Sequence, residues 1–117
     1  MRIILPGVLA ALFSMHVTAQ AADSDPIRIA YIDPLTGAFS ATGHNGLVQF
    51  QHAVEELVNA KGGVLGGRRL EIVAYDNQAS AQESQIQLRR AISEGIQFIA
   101  QGNSSAVAGV LTDAITR

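Results

Sequence analysis

The stretch Leu57 to Asn77, "LVNAKGGVLGGRRLEIVAYDN", decides the fold. Its front end closes an apolar helical repeat, because Lys61 and then Gly62-Gly63 supply the positive last turn and left-handed stop of a helix. Its back half, Arg69 to Asp76, alternates into a β-branched and aromatic run that ends on a carboxylate, and it reads as a strand. Helix, glycine turn and strand in that order are half of an alternating α/β unit.

Upstream, Leu47, Phe50, Val54, Leu57 and Val58 recur at steps of three and four, which predicts one apolar helical face. Ahead of them "DPLTGAFSATGHNG", Asp33 to Gly46, reads as a loop, and "IRIAYI", Ile27 to Ile32, as a strand buried on both faces. Downstream, Ser80 and Glu83 form an S-x-x-E capping box, Ile86, Arg90 and Ile92 give the next helix an apolar and a charged side, and Gly95 closes it. Ile96 to Ala100 is a third strand, and a third helix begins at Ser104 or Ser105 and runs to Arg117. The pattern β-α-β-α-β-α with short links predicts an α/β fold, a parallel sheet covered by helices through right-handed crossovers.

The chain has 117 residues, no cysteine, a net charge of -2 and 48% apolar residues, which fits one domain or part of one and carries no basic excess for nucleic acid. Met1-Arg2, the apolar run Ile3 to Met15 and the A-x-A site Ala19-Gln20-Ala21 are ordered as in a secretory signal, so cleavage is expected after Ala21 and the mature part, residues 22–117, near Ala22. Pro6-Gly7 argues against a buried first helix. Export without a cysteine to pair or lipidate points to a soluble protein of a bacterial periplasm. The third helix has no capping glycine after Arg117, and three strands leave an open edge, so the sequence reads as the front of a longer chain.

In an open parallel sheet, ligands gather where strands end at their carboxyl side. Three segments emerge there: Asp33 to Gly46, Asp76 to Ser80 and Gln101 to Ser105. Gly102-Asn103-Ser104-Ser105 leads into a helix N-terminus, whose unpaired N–H groups and positive dipole suit a carboxylate. Each serine there either caps the helix or turns its hydroxyl and N–H to a ligand. A nucleophile elbow is the other reading of Ser104, since "GNSSA" is one residue from G-x-S-x-G, but His44 and His52 both precede the serine, against the chain order of such hydrolases. "GGVLGGRR" follows a helix and puts two arginines where a phosphate loop needs Lys and Ser/Thr, so it is a turn. No His, Asp and Glu cluster has metal-ligand spacing, no cofactor motif follows a strand, and His52 should face solvent. Asp33, at a strand end, either braces its loop or meets an ammonium group.

"IRIAYIDPLTGAFSATG", "AVEELVNAKGGVLGGRRLEIVAYDN" and "GIQFIAQGNSSAVAGVLTDAI" together resemble the type I periplasmic binding proteins of the branched-chain amino-acid (Leu/Ile/Val) ABC transporter family. The resemblance covers nearly all of Ile27 to Ile115. It implies part of the first lobe of a two-lobed receptor, not an enzyme, which closes on a small carboxylate-bearing ligand and delivers it to an inner-membrane ABC permease; the alternative is the ligand-sensing domain of a receptor or regulator with the same fold. It also implies a monomer, without nucleic acid, metal or cofactor. Carried over by position, Ser105 matches the serine that holds the ligand carboxylate, and Asn103 and Ser104 match neighbours whose backbone contacts the ligand. Thr42 matches a first-loop position that is aromatic in leucine-type binders; Phe39 either supplies that apolar wall or packs within its own loop.

Overall fold

The computed structural model describes residues 25–117. The expected signal segment, residues 1–21, lies outside them.

Three strands form one parallel sheet in the order β2-β1-β3: β1 is Ile27–Asp33, β2 is Leu70–Asp76 and β3 is Phe98–Ala100. Helix α1 (Ser40–Leu57) links β1 to β2, α2 (Ala81–Ser93) links β2 to β3, and α3 (Ser105–Ile115) follows β3. The alternation read from the sequence is therefore the alternation observed.

Successive side chains of a strand point to opposite faces, and β1 uses both. Ala30 and Ile32 point to one side, where they join Tyr75, Leu88, Ala91, Ile96, Val107 and Leu111 in the main core beneath α2 and α3. Tyr31 points to the other side, under α1, where its ring lies 5.9 Å from that of Phe50. The helices thus cover both faces, as the apolar run of β1 requires.

The apolar stripe of α1 is only partly covered. Leu47 is buried, whereas Phe50 and Leu57 remain 42% and 63% exposed. The helix also begins seven residues earlier than its apolar repeat suggests, at Ser40, so the second half of the expected Asp33 to Gly46 loop is helical. Two glycines explain both the start and the poor helical signal there. A Cβ on Gly43 would lie 1.7 Å from the Pro34 carbonyl oxygen, and one on Gly46 would lie 2.2 Å from the Tyr31 hydroxyl. The helix reaches the end of β1 only because neither position has a side chain.

Other boundaries shift for local reasons. After Leu57 a single 3-10 turn, Asn59–Lys61, leads to Gly62 at φ 100°, the left-handed stop expected. The "GGVLGGRR" segment is a turn, closed by an antiparallel bridge between Val64 and Arg68. Strand β3 starts at Phe98, since only Ile29 to Tyr31 of β1 pair with it; Ile96 is buried in the core instead. The Ser80 capping box is half formed. Ser80 accepts the Glu83 N–H at 3.3 Å, but the Glu83 carboxylate takes the Gln87 amide at 2.7 Å.

Candidate functional site

The three strands end side by side, with Asp33 of β1 in register with Asp76 of β2. Their exit loops meet around a cleft of about 210 Å³ lined by Pro34, Phe39, Asn77, Ala79, Asn103, Ser104 and Val107. Complete ligand sites span about 300–1,000 Å³, so this is the size of one wall of a site rather than a closed chamber.

Asp76 fastens the first loop to the second. Its Oδ1 accepts the N–H groups of Leu35 at 2.8 Å, Gln78 at 3.0 Å and Thr36 at 3.3 Å, and its Oδ2 accepts the Thr36 hydroxyl at 2.6 Å. Burial alone would raise the pKa of this carboxyl, but the Thr36 hydroxyl and the three N–H groups outweigh it and hold the group below the usual aspartate value. His44 adds a second brace, its Nε2 lying 2.9 Å from the Leu35 carbonyl oxygen. Beyond Asp76, Gln78 and Ala79 both adopt positive φ, 51° and 59°, conformations uncommon for residues with a side chain. Asn77 secures the bend by accepting the Ala79 N–H on Oδ1 at 2.9 Å.

Asp33 fastens the first loop to the third. It is 1% exposed, and its Oδ2 accepts the Tyr31 hydroxyl at 2.6 Å and the Gly102 N–H at 3.3 Å. Burial, and then the bond to Asp33 and its charge, push the Tyr31 hydroxyl well above the ordinary tyrosine range. Of the two readings of Asp33, bracing fits its place: it lies behind the cleft, outside the lining. Its second oxygen, Oδ1, and the Asn103 amide Nδ2 are buried without a partner among the described residues.

The turn from β3 into α3 has its donors divided in two. Gly102 N–H goes to Asp33, and the N–H groups of Asn103 and Ser104 both go to the side-chain oxygen of Gln101, each at 3.2 Å. Ser104 is the N-cap, with extended backbone, and its hydroxyl accepts the Val107 N–H at 3.3 Å. That leaves the N–H groups of Ser105 and Ala106 and the Ser105 hydroxyl without a protein partner among the described residues. Both residues are exposed at the first turn of α3, where the helix dipole is positive.

The residues singled out in the sequence divide accordingly. Phe39, Asn103 and Ser104 share the cleft, and Ser105 lies next to Ser104 with its donors free. Thr42 is not on a loop: it is an exposed residue in the first turn of α1, outside the cleft lining. Of the backbone groups of Asn103 and Ser104 expected at a ligand, the two N–H groups are bonded to Gln101 Oε1. His52 is exposed on α1, and no histidine among the described residues bonds Ser104. Nor does any group of three acidic or histidine side chains among the described residues approach a metal site. Sequence reasoning missed Gln101, Asn77, Ala79 and the fastening role of Asp76. A carboxylate ending each of two adjacent strands was the available signal for the last.

Comparison with known proteins agrees with this layout. The family described as "Periplasmic binding protein" matches residues 26–117. The Leu/Ile/Val-binding protein homolog 4 of Brucella abortus is 34% identical over 113 residues, which cover 95% of this chain and 26% of that protein. The Leu/Ile/Val-binding protein of Escherichia coli is 26% identical over 96 residues, 82% of this chain and 24% of its own length. Among solved structures, the leucine-, isoleucine-, valine-, threonine- and alanine-binding protein of Brucella ovis, in a closed conformation, superposes with a TM-score of 0.65 at 34% identity, covering 78% of this chain and 23% of that one. The chain spans about a quarter of the length of these relatives. With the parallel sheet and its cleft at the strand ends, these matches place the chain in the type I periplasmic binding proteins of the branched-chain amino-acid family, as part of the first lobe of that fold.

Proposed function

We propose that this chain supplies the carboxylate-gripping wall of a periplasmic substrate-binding component of an ABC transporter. The whole protein binds a small carboxylate-bearing ligand, an amino acid or a related organic acid, between two lobes and delivers it to the inner-membrane permease. The observation that carries this reading is the pair of N–H groups at Ser105 and Ala106, free among the described residues, with the Ser105 hydroxyl beside them, next in sequence to Ser104 of the cleft lining. Hydrogen bonds to a charged group contribute about 1.5–3 kcal/mol each, so three donors suffice to anchor a small acid. Phe39, 58% exposed at the cleft, is the apolar surface on which the ligand's side chain rests.

The second lobe contributes the opposite wall, and the ligand favours the closed state by the contacts it makes with both. Ser104 acts as a helix cap in this reading and carries no reaction. Titration calorimetry of the complete mature protein against leucine, isoleucine, valine, threonine, alanine and benzoate tests the proposal. Binding of at least one of these acids, with none of its neutral amide, is expected; equal binding of acid and amide would refute the carboxylate assignment.

A further inference from the structure

The side chain of Gln101 sits where part of a ligand would be expected. It precedes the turn by one residue, and its Oε1 accepts the N–H groups of both Asn103 and Ser104 at 3.2 Å. Because both partners are donors, the amide must present its oxygen to them. These are two of the N–H groups that open toward the N-terminus of α3, and they adjoin the free donors of Ser105 and Ala106. A neutral acceptor inside the protein therefore fills half of the turn before any ligand arrives.

We propose that Gln101 is a specificity-determining residue: by occupying the Asn103 and Ser104 N–H groups it leaves a donor set of Ser105 N–H, Ala106 N–H and the Ser105 hydroxyl, sized for a single carboxylate. This rests on the reading that the turn holds the ligand's carboxylate. An acceptor that is uncharged matters as much as its position. A carboxylate in its place would bond the same two N–H groups more strongly, since charge-assisted bonds are about twice as strong as neutral ones. It would also put a second negative charge next to the ligand's own.

The consequence is a pair of effects of opposite sign, which a merely structural role does not produce. In the complete mature protein, Gln101→Glu raises the ligand-free melting temperature and weakens binding of the probe acid by about tenfold or more at low ionic strength, with the loss shrinking as salt is added. The probe is whichever of leucine, isoleucine, valine, threonine, alanine or benzoate the wild type binds. Gln101→Met, of similar length but without an acceptor, lowers the ligand-free melting temperature. The inference is overturned by a glutamate variant that binds as tightly as wild type at low salt, by one that loses stability and affinity together, or by a methionine variant that melts no lower than wild type. A wild type that binds none of these six acids refutes the carboxylate reading, and this inference with it; a wild type that binds alongside an indifferent glutamate variant refutes this inference alone.

Discussion

Tyr31 donates its hydroxyl to Asp33 at 2.6 Å, two residues along the same face of β1, and that bond links the packing under α1 to the turn that opens α3. The same carboxylate oxygen holds Gly102 N–H, so the two bonds act through one atom. Tyr31→Phe and Asp33→Asn should each destabilise the complete protein by about 1–3 kcal/mol, and the double variant should lose less than the sum. Denaturant unfolding of the four proteins measures this. Strict additivity would show that the two residues act separately.

Helix α1 can approach β1 only through its glycines. Gly46→Ala places a methyl group 2.2 Å from the Tyr31 hydroxyl, and Gly43→Ala places one against the Pro34 backbone, which cannot swing away. Overpacking of this kind costs about 1–3 kcal/mol, occasionally more, and the Gly43 variant should be the worse of the two. Gly109 in α3 has open space around its Cβ position, so Gly109→Ala should stabilise by up to about 1 kcal/mol. Thermal melts should place Gly109→Ala above wild type, Gly46→Ala below it and Gly43→Ala lowest.

The two serines should separate by readout. Ser104→Ala removes the N-cap acceptor of Val107 N–H and should cost about 1 kcal/mol of stability. Ser105→Ala removes a hydroxyl with no partner among the described residues, so it should leave the melting temperature within about 1 °C of wild type. Its effect should appear in calorimetry as a roughly tenfold loss of affinity for the bound acid. Equal behaviour of the two variants in both measurements would dissolve the distinction between cap and anchor.

Acid should loosen the rim before it unfolds the core. Asp76 has its pKa lowered by the folded state, so its contribution is fully present above the ordinary aspartate value of about 3.9 and is lost as pH falls through the lower folded value. The stability difference between wild type and Asp76→Asn should therefore be constant at neutral pH and shrink at acid pH. Tyr75 works in the opposite direction. Burial, then the hydroxyl bond to Glu94 and that group's charge, push it up to about 12, so its contribution is complete below about pH 10 and is lost as pH rises toward 12. A Tyr75→Phe protein should lose less stability than wild type across that alkaline interval.

Element order, strand count and parallel pairing were legible because each strand is a short β-branched run and each helix has a period of three to four. The start of α1 was not, because "SATGHNG" holds two glycines, a threonine and an asparagine, all poor helix formers. Those glycines are there for contact with Pro34 and Tyr31, so tertiary packing sets the residues that local propensity would reject. At the site, the serines and the helix start could be read from the sequence, since both follow from neighbours along the chain. The bond from Gly102 to Asp33 spans 69 residues and has no sequence signature. Gln101 was hidden for another reason: a glutamine ending a strand has no single preferred partner, and only the folded turn shows which N–H groups it takes.

The strand order has one more consequence. Because β1 lies between β2 and β3, its exit segment is tied to both neighbours at once, by Asp76 on one flank and by Asp33 to Gly102 on the other. The three rims of the cleft are thereby joined to one another through the exit of β1. Under the proposed function, the fit to acids of different bulk would follow from how far this wall moves as one unit against the opposite lobe, while Gln101 sets which donors the wall offers.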